Sequence, residues 1–82
     1  MNDRTAAADL AATCRLATFL ENMALETSED CDTSMMALVD LAIIVRRQLR
    51  GHVANYANGI AIDIKAARVA QSTVNGVIGW CC

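Results

Sequence analysis

From Thr5 to Leu25 the polar residues Arg15, Thr18 and Asn22, continued by Glu26, recur three or four positions apart, and nearly everything between them is apolar or small. That spacing keeps polar groups on one side of a helix. Ala12, Leu16, Phe19, Leu20 and Met23 make one apolar face, and Leu10, Cys14, Ala17, Ala24 and Leu25 carry it further round the cylinder. The acidic run Glu26 to Ser34 interrupts the pattern, and Asp32, Thr33 or Ser34 is suited to cap a new helix. A second helix is predicted from about residue 33 to 57, with a stripe at Leu38, Leu41, Ala42, Val45, Leu49, His52, Val53 and Tyr56. Gly51 falls inside it, but a helical glycine costs only about 1 kcal/mol relative to alanine and does not force a break. Asn58 and Gly59 tolerate the left-handed conformation and supply the stop.

The third segment reads two ways at its start. Ile60 to Ile64 alternates like a strand, whereas the following residues, Lys65 to Ser72, read as helix, and a single strand in a helical chain has no partner. A helix from about 60 to 75 is therefore predicted, with Ile60, Ile64, Ala67 and Val74 on one side and Ile62, Ala66, Val69 and Thr73 on another. Lys65, Arg68 and Ser72 form its narrow polar strip. Residues 76–82 are expected to be a flexible tail, bendable at Gly76 and Gly79, whose Val77, Ile78 and Trp80 can pack back on the helices or reach a neighbour. The expected fold is all-α: one domain spanning residues 1–82, a small three-helix bundle packed further as a homo-oligomer.

The oligomer is expected because there is too much apolar surface for one small core. A bundle helix needs one apolar stripe a little over 100° wide, and each of these helices is apolar over about two thirds of its circumference. On the second helix the surplus falls at Met36, Ile43 and Ile44, away from the Leu38-Val45-Leu49 stripe. Arg46, Arg47 and Arg50 rim that patch, and Trp80 near the C-terminus is a natural anchor. These seven residues are the predicted interface, with a twofold dimer as the favoured assembly.

Composition narrows the partner. With 82 residues, aromatics at only 4%, and no proline, the apolar area must come from Ala, Leu, Ile, Val and Met. The net charge of −2 opposes whole-domain binding to nucleic acid, for which a basic surface is the rule. Arg46, Arg47 and Arg50 could still grip phosphate, so a small dimeric nucleic-acid-binding regulator is the alternative reading. Base-stacking aromatics are not interleaved with them, which favours a protein partner. Met1-Asn2-Asp3-Arg4 lacks the order of a signal peptide, and the longest apolar stretch, Met35 to Val45, is broken by Asp40 and too short to span a bilayer. A cytoplasmic protein without a membrane span is expected.

Chemistry finds little to work with. His52, the single histidine, lies on an apolar stripe, where a hydrogen-bonded core or interface residue is expected rather than a base. Asp9, Asp40 and Asp63 are too far apart in sequence to argue a carboxylate pair, and phosphate-loop, dinucleotide and metalloprotease motifs are absent. Cys14, Cys31, Cys81 and Cys82 lack the paired spacing of a zinc site, so neither metal nor cofactor is expected, and reduced thiols are the cytosolic default. Cys14 reads as a small buried hydrophobe. The pair Cys81-Cys82 resembles the prenylated tail of Rab-type small GTPases, but the resemblance covers those two residues only, and the nucleotide-binding domain of that family is missing. No lipid is carried over from it. The functional expectation is a non-enzymatic helical interaction module that binds a protein partner, itself, or both, as an inhibitor or adaptor of the kind phages and mobile elements encode.

Overall fold

A computed structural model describes residues 2–27 and 31–81. Three helices run up, down and up: α1 (Asp3–Glu26), α2 (Thr33–Ala57) and α3 (Ile64–Ile78), followed by a 3-10 turn at Gly79–Cys81. Among the described residues there is no strand, and the all-α three-helix bundle is the fold. No described helix is long and apolar enough to cross a membrane.

Each helix begins on a side-chain cap that takes up an otherwise unpaired backbone N–H. The Asn2 side chain accepts from the Thr5 N–H at 2.8 Å, Asp32 from Met35 at 3.0 Å, and Asp63 from Ala66 at 3.0 Å. At the end of α2 the Ile60 N–H reaches back to the Asn55 carbonyl and the Gly59 N–H to the Tyr56 carbonyl, both at 3.0 Å. This is a Schellman closure, which requires a left-handed residue, and Gly59 supplies it at φ 92°.

That closure corrects the predicted start of the third helix. The chain leaves Gly59 without helical structure: Ile60, Ile62 and Ile64 are partly buried while Ala61 and Asp63 are exposed, and only after the Asp63 cap does α3 begin. The strand-like alternation corresponds to a short non-helical segment whose burial alternates from residue to residue, without a sheet partner. The predicted end is corrected as well. Gly76 has a helical backbone, α3 continues to Ile78, and Val77 is fully buried one step beyond Val74. The segment expected to be a flexible tail is thus mostly helix and 3-10 turn up to Cys81; Cys82 lies outside the described residues, as do Glu29 and Asp30 of the acidic run.

The core follows one line on each helix, at steps of three and four residues. It comprises Ala6, Leu10, Thr13, Ala17, Leu20 and Ala24 on α1, Met35, Val39, Ala42, Val45, Leu49 and His52 on α2, and Ala67, Ala70, Val74 and Val77 on α3. Six of these are alanines, which let the backbones approach closely but leave the larger residues on either side outside the core. Leu16, Phe19, Leu41 and Tyr56, placed inward by the sequence stripes, are exposed.

The thiol expectation is also corrected. Cys31, just before α2, and Cys81, in the terminal turn, form a disulfide with Cα atoms 5.6 Å apart. It joins positions separated by 50 residues and fastens the end of α3 to the start of α2.

Candidate functional site

The side of the molecule formed by α1 and α2 carries a shallow groove of about 500 Å³, lined by Asp9, Ala12, Thr13 and Leu16 from α1 and by Gln48, Gly51, His52 and Asn55 from α2. Because the helices are antiparallel, Asp9 lies across from Asn55 and Leu16 from Gln48. On α1 the groove line continues by steps of three and four from Leu16 to Phe19 and Met23; on α2 it continues backward from Gln48 to Ile44 and Leu41. Leu16 is 47% exposed, Phe19 58%, Leu41 49% and Ile44 49%. Four large apolar side chains therefore crowd the middle of one face, each about half uncovered.

The floor at one end of this groove is polar. The Thr13 hydroxyl donates to the Asp9 carbonyl at 2.8 Å, and His52 Nε2 lies 3.2 Å from Thr13 Oγ1. A hydroxyl has one proton to give, so with that proton on Asp9 the imidazole must be the donor to Thr13 Oγ1. Nε2 then carries the hydrogen, and Nδ1 is a bare acceptor, buried without a partner. A hydroxyl beside an imidazole invites comparison with a nucleophile and its base, but the roles run the other way here. Nε2 has no lone pair with which to take the hydroxyl proton, and no carboxylate orients Nδ1. Both side chains are buried, so the pair is a link between α1 and α2.

Cys14, half-buried on the opposite flank of α1, donates its Sγ–H toward the Ala66 carbonyl at 3.7 Å. Burial pushes its thiol above the ordinary range, and the neighbouring negative charge of Asp63 adds to the effect. It stays protonated and packs against the core. Among the described residues no three His, Cys, Asp or Glu side chains gather as they would to hold a metal ion.

The residues singled out from the sequence lie on more than one side of α2. Met36, Ile43, Arg47 and Arg50 fall within about 60° of one another on the helix, Ile44 is turned toward the α1 groove, and Arg46 is turned the other way. Ile43 is partly buried against the core and Arg46 is half-buried, whereas Met36, Ile44, Arg47 and Arg50 are exposed. Trp80 is partly uncovered in the terminal turn beside the disulfide. Leu16, Phe19 and Leu41 were not singled out, although the unbroken line Ala6-Leu10-Thr13-Ala17-Leu20-Ala24 was there to show that they lie beside the core rather than in it.

Comparisons with protein-family models, with curated proteins and with solved structures each return no match for this chain.

Proposed function

We propose that this chain is a non-enzymatic helical interaction module that works by presenting the α1–α2 face to protein, its own kind included, in the manner of a small inhibitor or adaptor. The observation that carries the reading is the group Leu16, Phe19, Leu41 and Ile44, half exposed together along a single side, whereas the other exposed large apolar residues, Leu25 and Val69 among them, lie apart from it. Contiguous apolar surface on a small domain marks an interface more often than a solvated wall. The face is shallow and its polar floor is occupied by the Thr13-His52 link, which suits a protein surface better than a small substrate. The nucleic-acid reading has nothing comparable behind it, because Arg46, Arg47 and Arg50 spread over about 100° of the α2 surface instead of converging.

The cytoplasmic setting belongs to the same reading, with one consequence. In a reducing compartment Cys31 and Cys81 would be a pair of thiols, and the terminal turn would be held without the covalent link, by the packing of Ile78 and Cys81 against the core beside the buried Val77. Trapping cellular thiols with an alkylating reagent before lysis distinguishes the two states. The interface reading is tested by a photo-crosslinking residue placed at Phe19 and, as a control, at Arg68 on the exposed side of α3. The expected result is a crosslinked protein product from position 19 and none from position 68; equal yields from both positions contradict the reading.

A further inference from the structure

Four charged residues flank the apolar group. Arg15 and Glu26 lie on the outer side of α1, between this face and the α1–α3 groove that Arg15 lines with Asp63, and Asp40 and Arg47 lie on the outer side of α2; all four are exposed. Among the described residues none of the four makes an ion pair within the chain. On α1 the midpoint between Arg15 and Glu26 falls between Leu20 and Glu21; on α2 the midpoint between Asp40 and Arg47 falls between Ile43 and Ile44. The register of the two helices is set by the groove, where Leu16 lies across from Gln48 and Thr13 is bonded to His52. Counting on from Leu16 and back from Gln48, the two midpoints come out at the same height. Phe19 and Met23 are centred on that height from one side, and Leu41 and Ile44 from the other.

We infer that a second copy of this chain covers the face about a twofold axis at that height, running across the helices, so that α1 lies antiparallel on the partner's α1 and α2 on the partner's α2. The inference rests on the reading of this face as an interface. In this arrangement Arg15 meets the partner's Glu26 and Arg47 meets the partner's Asp40, and symmetry makes each contact twice. A twofold axis along the helices instead sets α1 on the partner's α2 at equal height. Arg15 then comes within two residues of the level of the partner's Arg47, and Glu26 within two of the level of the partner's Asp40, so like charges face each other. The same four residues thus favour one mode and oppose the other. The size also fits: a long side of the molecule measures 42 by 18 Å, comparable with the ~800 Å² per partner of a standard interface.

The experiment is sedimentation equilibrium of the full chain over a dilution series, with charge reversals on each helix. The chain is expected to be a dimer, and Arg47→Glu or Arg15→Glu to weaken it about tenfold, since each exposed pair is lost twice and replaced by a repulsion. The swaps Arg47→Glu with Asp40→Arg, and Arg15→Glu with Glu26→Arg, should recover the affinity to within about threefold. All four positions are exposed, and an unchanged helical spectrum confirms that each variant folds. A dimer that both single reversals leave intact uses another surface; that overturns this arrangement and leaves the protein to act through self-association elsewhere. A monomer at every concentration overturns it too, and the interface reading then stands or falls on a crosslink from position 19 to a different protein.

Discussion

Replacing His52 by leucine should leave the protein as stable as before or make it more stable, although His52 is 8% exposed and hydrogen-bonded. Its two ring nitrogens set the sign. Nε2–H donates to Thr13 Oγ1, a bond with a net worth of about 1 kcal/mol, while the buried Nδ1 has no partner, a condition that costs about 1–3 kcal/mol. Leucine has a similar volume and forgoes both. Thr13 is not orphaned by the change, because its hydroxyl still donates to the Asp9 carbonyl. The net expectation lies between no effect and about 2 kcal/mol of stabilisation. Thr13→Val has the opposite sign: it keeps the shape, removes the acceptor, and leaves both imidazole nitrogens buried and unpaired, at a cost of about 1–3 kcal/mol. In the His52→Leu background the same Thr13→Val change should be nearly free, which gives a coupling of about 1–3 kcal/mol. Urea unfolding of the four proteins, followed by helical circular dichroism at one protein concentration, measures the cycle. A loss of more than about 2 kcal/mol in His52→Leu, or a neutral Thr13→Val in the parent, refutes the hydrogen assignment and the orphaned nitrogen with it.

Three further outcomes follow from the same structure. Gly76→Ala should stabilise by about 0.5–1 kcal/mol, since the backbone there is helical and an added Cβ meets nothing within 4 Å, whereas Gly59→Ala should destabilise by about 1 kcal/mol because its φ is +92°; thermal melts of the two variants check the opposite signs. Cys31→Ser with Cys81→Ser should cost about 4 kcal/mol on the loop-closure estimate for a link spanning 50 residues, read as a fall in the urea midpoint, and an unchanged midpoint contradicts the link. Cys14, its thiol held protonated by burial and by Asp63, should alkylate at least about tenfold more slowly in the native protein than in urea at pH 8, as followed by mass spectrometry of the peptide that carries it.

What the sequence reveals and what it hides divide along physical lines. The span of α2 is legible at both ends because its signals are local: Asp32 caps one end, and Asn58-Gly59 closes the other. The start of α3 misleads because two local rules compete there. Strand-like alternation at Ile60 to Ile64 and helix propensity from Lys65 are both obeyed, with Asp63 as the boundary. Gly76 weighs too heavily when read alone, since the burial of Val77 extends the helix past it. The candidate face is harder still. With apolar residues around most of each helix, the core is decided by which line packs closest, and here that line is rich in alanine, so Leu16, Phe19 and Leu41 end up outside. The Cys31–Cys81 link depends on bringing together positions 50 apart, which only the folded bundle does.

The most direct test of the account is the distance between spin labels on the two copies, measured by pulsed electron resonance on chains labelled at Asn22 or at Thr5. A helix rises 1.5 Å per residue, so about the proposed axis Asn22 lies almost opposite the partner's Asn22, separated mainly by the helix spacing of about 8–10 Å and the length of the labels. Thr5 lies more than fifteen residues from the axis, and its two labels should be about 45–50 Å apart. A short distance at Asn22 with a long one at Thr5 is the predicted result. Similar distances at both sites mean a parallel pairing, and no interchain distance at either means no pairing through this face; each contradicts the account.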